Sequence, residues 1–289
     1  MADNEPIITI FVCTYNQEKT IERALKSVME QKISYKYVVR ILDDCSTDDT
    51  TAICKKYRDM YPDVTELVIP KKNTKAGHVR GELCSIKTKY WAFLEGDDYW
   101  CDDTRIQRAL DFLEKHEEYT GYATDYLVRT KDGKEYAGVA SSGIDAQNLH
   151  EIVLGGGVYI HTSARVLRNI IDWRPLVYHK CFGDAMQMSV YLDKGPWYYE
   201  NKITTVYDQS SSCGFWSGLS ARAQAYKNEV FYYEMNKLFN FKYDGIFSCI
   251  KEKEVLERLK KKFGVKWGWR LYMAYRFFNY HFPKILPDR

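Results

Sequence analysis

The 289-residue sequence predicts an α/β fold: a mostly parallel central sheet flanked by helices, with a helical C-terminal extension. Three observations carry that prediction. Short apolar runs alternate with helix-period segments four times within about the first 100 residues. Two of those runs end in acidic loops, Asp43-Asp44-Cys45-Ser46-Thr47-Asp48-Asp49 and Glu95-Gly96-Asp97-Asp98. Beyond Ser220 the chain is rich in helix-compatible, aromatic and basic residues.

In chain order, Ile7 to Val12 reads as a buried strand, and Ile21, Leu25, Val28 and Met29 then recur at helical spacing. Tyr37 to Leu42 is a second strand. The acidic loop after it ends in residues able to cap a helix carrying Ile53, Cys54 and Tyr57. Glu66 to Ile69 is a third strand, Ala76 to Thr88 a helix, and Tyr90 to Leu94 a fourth strand, with another helix starting near Thr104. In such a sheet ligands bind beyond the carboxyl ends of the strands, so both acidic loops open on one edge.

Further on, Tyr122 to Arg129 and Lys134 to Gly138 flank Lys131-Asp132-Gly133 as a hairpin, and Val158 to Thr162 is a short strand. Gly155-Gly156-Gly157 is read as a tight turn or a close substrate approach. Gly183-Asp184 opens a helix carrying Ala185, Met188, Val190, Tyr191 and Leu192, and Lys202 to Tyr207 is a late strand.

Clustered carboxylates repel one another and lose solvation when buried, so packing gives little reason to place Glu95, Asp97 and Asp98 at a strand end. A divalent cation gives one: Mg²⁺ and Mn²⁺ take oxygen ligands and leave positions open for substrate phosphates. A solvated acidic loop, or capping of the helix near Thr104, is the alternative for these residues taken alone.

Composition narrows the classes. The chain is 45% hydrophobic and 28% charged, as folded proteins are, and no run of apolar residues is long enough to cross a bilayer. A net charge of +3 is too small to argue for nucleic acid as a partner. The acidic start, Met-Ala-Asp-Asn-Glu-Pro, is unlike a secretory signal. The eight cysteines form no CxxC pair and, with six scattered histidines, make neither a zinc site nor a disulfide framework. A cytoplasmic location is therefore expected. Cys13-Thr14-Tyr15-Asn16-Gln17, the first strand-to-helix turn, has neither the dinucleotide nor the P-loop glycine pattern.

Taken together, Val12-Cys13-Thr14-Tyr15-Asn16 with Thr20-Ile21 and Ser27-Val28, Ile41-Leu42-Asp43-Asp44-Cys45-Ser46-Thr47-Asp48, Glu95-Gly96-Asp97-Asp98-Tyr99-Trp100 and Gly183-Asp184 resemble the motifs of family 2 glycosyltransferases, over roughly residues 6 to 215. The resemblance implies a GT-A fold and a nucleotide-sugar donor, expected to be a UDP-sugar. It implies that Thr14, Tyr15 and Asp44 hold the nucleoside while Asn16 shapes the turn. Turn formation or helix capping is the competing role for Asp43 and Asp48. The family's metal motif falls on Glu95, Asp97 and Asp98, with Asp97 and Asp98 as ligands of Mn²⁺ or Mg²⁺ and Glu95 able to reach the ribose or bound waters instead. Its catalytic base falls on Asp184, for which a helix cap is the competing role.

Two departures stand out. Gly183 replaces the acidic residue that often precedes the family's base, and Tyr207-Asp208-Gln209 replaces a Tyr-Arg pair that often meets donor phosphates. Lys202, Arg165 or the C-terminal region are the candidate substitutes, and His161-Thr162-Ser163 is a candidate acceptor contact, with a local hydrogen bond as the competing role for His161.

The resemblance further implies an inverting transfer to a glycan or lipid-linked glycan. A nucleotidyltransferase and a non-catalytic nucleotide-sugar or glycan-binding protein are the competing functions. The expected organisation is a catalytic domain over 1–218, with a nucleotide-binding half at 1–100 and an acceptor-binding half at 101–218, then a helical extension over 219–289. In that extension, Val265-Lys266-Trp267-Gly268-Trp269-Arg270 to Lys284 mixes aromatics and cations as a helix at an anionic membrane surface does, with a homo-oligomer contact as the alternative.

Overall fold

The structure, a computed structural model, describes residues 5–75, 77–138, 160–179, 181–210, 231 and 233–243, with isolated positions at 256, 270 and 273. The chain divides into two compact units, Met1–Val153 with Gly157–Ser220, and Leu154–Gly156 with Ala221–Arg289. The first unit holds the sheet. In the second, residues 233–238 are helical and Met235 is fully buried.

The sheet begins with β1 (Ile8–Thr14), β2 (Tyr37–Asp43), β3 (Thr65–Val68) and β4 (Tyr90–Glu95), joined by α1 (Ile21–Met29), α2 (Thr50–Met60) and α3 (Gly77–Cys84). β1 pairs in parallel with β2 on one side and β4 on the other, and β2 pairs in parallel with β3. Both faces are covered, which explains the near-continuous apolar strands. Ile8, Ile10, Val12, Ala92 and Leu94 belong to the cluster that also contains Leu25 and Val28 of α1. On the opposite face Phe11 meets Phe93 with ring centroids 5.1 Å apart, and Trp91 meets Trp173 at 6.2 Å.

Beyond β4 the sheet changes character. It continues through β5 (Tyr99–Trp100), α4 (Arg105–Lys115), β6 (Gly121–Arg129), β7 (Glu135–Ala137), a 3-10 turn at Thr162–Ala164, β8 (Arg165–Arg168), α5 (Asp184–Lys194) and β9 (Trp197–Asp208). The strand order is β3-β2-β1-β4-β8-β6-β9-β5, with β7 paired to β6. The mostly parallel sheet expected from sequence is thus a mixed one: β8 is antiparallel to both β4 and β6, β5 is antiparallel to β9, and β6 and β9 run parallel. The reason is local. The turn at 162–164 delivers the chain beside the carboxyl end of β4, so β8 runs back along it, pairing Val166 with Ala92 and Arg168 with Tyr90. The architecture remains broadly Rossmann-like and GT-A-like.

The hairpin at Lys131-Asp132-Gly133 is present as β6 and β7, with Gly133 at φ +78° where only glycine turns without strain. The strand expected over Val158 to Thr162 is displaced. Ile160 and His161 are irregular, the His161 side chain accepts from Ser163 N and caps the 3-10 turn, and the strand follows as β8. Gly155-Gly156-Gly157 and, apart from Arg270 and Met273, the 265–284 segment lie outside the described residues. No helix among the described residues is long and apolar enough to cross a membrane.

Candidate active site

Register aligns the strand ends. Thr14 lies opposite Asp43 and Cys13 opposite Glu95, so the turns after β1, β2 and β4 emerge together at the carboxyl edge. The first two turns are tied by hydrogen bonds: Asn16 Oδ1 accepts from Thr47 N at 2.8 Å, and Asn16 N donates to Ser46 Oγ at 2.9 Å. Asn16 takes φ +50°, a left-handed conformation that asparagine tolerates better than most residues. Thr14 is buried and Tyr15 is 45% exposed.

The two aspartates after β2 have different surroundings. Asp43 is fully buried and accepts from Ser46 N, Ser46 Oγ and Thr51 Oγ1, the turn-forming role considered for it from sequence. Asp48 accepts locally from Thr50 N and, across 30 residues, from Glu18 N of the turn after β1. Asp44 turns toward the start of α3: its Oδ1 accepts from Thr74 N at 2.8 Å and Thr74 Oγ1 at 2.7 Å and lies 3.1 Å from His78 Nδ1.

Glu95, Asp98 and His161 converge next to these turns, each offering a ligand atom within 4.8 Å of the others. The acidic loop folds as a tight turn, with Asp98 N donating to Glu95 O and Gly96 N to Cys13 O. Gly96 is required by crowding, since a Cβ there would stand 2.9 Å from Thr14 Oγ1 and closer still to Gln17. Asp98 is fully buried. Its Oδ2 accepts from Ser163 Oγ at 2.8 Å, its Oδ1 accepts from Asp208 N at 3.2 Å, and His161 Nδ1 lies 3.4 Å from Oδ2. His161 stacks on Tyr207 with centroids 4.2 Å apart. Asp97, its neighbour in sequence, is not in the three-residue group. Its carbonyl accepts from Arg23 Nη2 at 3.0 Å, and Gln17 bonds its carboxyl.

These acids are under electrostatic load. Burial, reinforced by the Asp97 charge, pushes Asp98 up to about 8. Burial and then the charges of Asp98, Asp184 and Asp97 push Glu95 well above the carboxylate range, with Arg165 opposing. Burial also raises Asp97, although its own backbone N–H and Gln17 offset part of that. Burial and then Arg165 lower His161 to about 3, so its ring is neutral and able to ligate. Two carboxyls and a neutral imidazole, sealed together against their own repulsion, are a donor set that fits Mn²⁺ or Mg²⁺.

Asp184 is the first residue of α5, and Tyr191 of that helix is anchored by Trp91 Nε1 at 2.9 Å. The charge of Asp184 reaches Glu95 and Cys13, which brings the sequence-predicted base to the acidic cluster. Its carbonyl accepts from Arg165 Nη1 at 3.4 Å. Arg165, considered from sequence for a phosphate contact, is buried and donates to Ile160 O. Lys202 instead pairs with Asp102 at 2.6 Å.

Sequence reasoning missed Arg23 and Asp208, and it considered Ser163 only with His161 and Thr162 as an acceptor contact. Arg23 Nη2 bonds Asp208 Oδ2 at 2.9 Å while the guanidinium lies over the Tyr99 ring at 4.3 Å, tying α1 to the acidic loop and to the end of β9. Nothing in the sequence marked Ser163 as the support of Asp98.

Residues 9–169 match the family described as glycosyl transferase family 2. The Escherichia coli protein named UDP-Glc:alpha-D-GlcNAc-diphosphoundecaprenol beta-1,3-glucosyltransferase WfaP is 31% identical over 127 residues, 43% of this chain and 47% of that protein. The Shigella flexneri dTDP-rhamnosyl transferase RfbG is 26% identical over 252 residues, 82% of this chain and 86% of that protein. The chain spans less than half the length of WfaP, and 37% of an uncharacterised Mycobacterium tuberculosis relative. Among solved structures, the mannosyltransferase PcManGT from Pyrobaculum calidifontis, in complex with GDP-Man and Mn2+, superposes with a TM-score of 0.60 at 14% identity, covering 93% of this chain and 74% of that one, a likeness of fold.

Proposed function

The chain belongs to glycosyl transferase family 2, and from that premise we propose that it is a metal-dependent, inverting glycosyltransferase. It moves a sugar from a nucleoside-diphosphate sugar, a UDP-sugar in the first instance, to a hydroxyl of a glycan or lipid-linked glycan. The observation that carries the reading is the convergence of half-buried Glu95 with buried Asp98 and His161 at the strand edge, within electrostatic reach of Asp184.

Each residue has a role in this reading. Thr14, Tyr15 and Asp44 hold the nucleoside, and Asn16 fixes the turn that presents them. Asp98, with Glu95 and His161, holds the cation, and Asp97 stands beside it as the other carboxylate of the motif. A bound Mn²⁺ or Mg²⁺ supplies positive charge where the departing diphosphate gathers negative charge. Asp184 takes the proton of the acceptor hydroxyl as that oxygen attacks the anomeric carbon and the bond to the diphosphate breaks. One displacement inverts the anomeric centre and needs no covalent sugar intermediate.

The unit around the sheet, 1–218, is the catalytic domain in this reading. The 219–289 segment is the extension that brings it to the inner membrane face, where a lipid-linked acceptor would lie, through the aromatic and basic residues of 265–284. Flotation with anionic liposomes, comparing the full chain with one ending near residue 263, tests that part; equal, negligible lipid binding by both would reject it.

The activity is tested by incubating the full chain with UDP-, GDP-, dTDP- and CMP-sugars, with and without EDTA. The expected result is hydrolysis or transfer from one donor class that EDTA abolishes and Mn²⁺ restores. Full turnover in EDTA would remove the metal role, and transfer of a nucleotidyl group instead of a sugar would replace the reading.

A further inference from the structure

The His78 ring is the most informative group that this mechanism leaves unused. It sits in the first turn of α3 with its side chain only 9% exposed, beside the carboxylate read as part of the nucleoside site. Its two nitrogens differ sharply. Nδ1 is 3.0 Å from Thr74 Oγ1 and 3.1 Å from Asp44 Oδ1, whereas Nε2 is buried and has no hydrogen-bond partner among the described residues.

The hydrogen-bond network assigns the tautomer. Thr74 Oγ1 has one proton and two lone pairs. The proton goes to Asp44 Oδ1 at 2.7 Å, and one lone pair accepts from His78 N at 3.0 Å. The remaining lone pair of Oγ1 and the Asp44 carboxylate both face Nδ1, and two acceptors facing one ring nitrogen require it to carry the hydrogen. In the neutral ring Nε2 is then the bare acceptor, held rigidly by Asp44 and Thr74. Leaving a buried acceptor unpaired is unfavourable, and a ligand N–H or O–H would relieve that.

We propose that His78 Nε2 accepts a hydrogen bond from the nucleoside of the donor, either from an N–H of the base or from a ribose hydroxyl, and so helps to select the nucleotide. The inference rests on the reading that Asp44 belongs to the nucleoside site. Nε2 is covered by neighbouring atoms, which give way as the ligand enters. A bare imidazole nitrogen favours a ligand that brings an N–H or O–H donor and disfavours one that offers only a carbonyl there.

The test separates direct contact from mere support of Asp44. His78→Asn keeps an amide N–H near the Nδ1 position and removes Nε2, while His78→Phe removes both. UDP, GDP, CDP and dTDP are titrated calorimetrically into the full chain with Mn²⁺, and the tightest is carried forward with its base-N-methylated and deoxyribose analogues. The expected result is about 5- to 10-fold weaker binding by His78→Asn, the size of one lost hydrogen bond. That penalty should vanish with the one analogue lacking the matching donor group, which identifies base or ribose. Unchanged affinity in His78→Asn overturns the inference while the proposed function stands. So does a penalty that persists across every analogue, because His78 would then act only through Asp44. Failure of the unsubstituted chain to bind all four nucleotides overturns the nucleoside site itself, and the inference with it.

Discussion

Ser163 Oγ donates to Asp98 Oδ2 across 2.8 Å, and the same oxygen accepts the Glu95 N–H at 3.2 Å. One hydroxyl, 65 residues away in sequence, thereby orients the Asp98 carboxyl and pins the strand end that carries Glu95. Its own position is fixed because Ser163 O accepts from Trp100 Nε1 at 2.9 Å. Groups that orient a metal ligand typically alter metal affinity by about 10- to 100-fold when removed. Ser163→Ala should accordingly weaken Mn²⁺ binding by roughly 10-fold with the circular dichroism spectrum unchanged. Manganese titration followed by electron paramagnetic resonance measures it, and an unaltered affinity would reduce Ser163 to a packing role.

Asp98→Asn probes the cation from the side of stability. A ligand held at about 100 times its Kd stabilises a folded protein by about 2.7 kcal/mol. For a domain of this size that is a rise in Tm of about 5–10 °C. Saturating Mn²⁺ should produce such a rise in the unaltered chain and almost none in Asp98→Asn. In EDTA the variant should be no less stable than the parent, because it removes a carboxyl whose charge is disfavoured by burial and by Asp97. Differential scanning fluorimetry with and without Mn²⁺ gives all four values. Equal metal-induced shifts in the two proteins would exclude Asp98 as a ligand.

What the sequence reveals and what it hides divide along physical lines. β1, β2 and β4 are legible because burial writes mainly apolar runs, broken in β2 only by the ion-paired Arg40, and the acidic loops are legible because their charge ends those runs. β5 is hidden. Two residues, Tyr99 and Trp100, carry no periodicity, and they form a strand only because Val206 and Thr205 of β9 stand opposite. The support of the cluster is hidden for the same reason: Arg23, Ser163 and Asp208 come from three distant segments and have no local signature. His161 was visible only as a polar residue near a strand. Its neighbours Asp98 and Tyr207 are made by the fold, as is the burial that keeps Arg165 from solvent.

Asp184→Asn tests the base independently of metal and nucleoside. Asp184 is the first residue of α5, after Gly183 at the N-cap, and asparagine keeps the size of its side chain, so the substitution should leave the helix intact. Donor affinity by calorimetry should be unchanged, whereas sugar transfer should fall by about 10²–10⁴-fold, as for a lost acid-base group. Normal transfer would return Asp184 to a structural role at the helix start.

The last prediction concerns the far side of the sheet from α3, where Arg108 of α4 bonds Asp102 Oδ2 at 3.0 Å and Glu200 Oε2 of β9 at 2.9 Å. Lys202 adds a second cation to Asp102 at 2.6 Å. Burial raises the Asp102 carboxyl, but hydrogen bonds from Arg108 and Lys202 outweigh it and hold the group below the usual carboxylate range. A carboxyl depressed in the folded state stabilises the protein above its unfolded pKa of about 3.9, and that contribution is lost as pH falls through the folded value. Arg108→Met keeps much of the aliphatic packing and removes the guanidinium. It should therefore cost about 2 kcal/mol at pH 7, the scale of hydrogen bonds to a charged group. The difference from the parent should shrink steadily below about pH 4, where the unfolded chain's Asp102 takes up its proton before the folded one does. Urea denaturation at several pH values between 7 and 3 measures the two curves, and a pH-independent gap would show that Arg108 contributes by packing and not by charge.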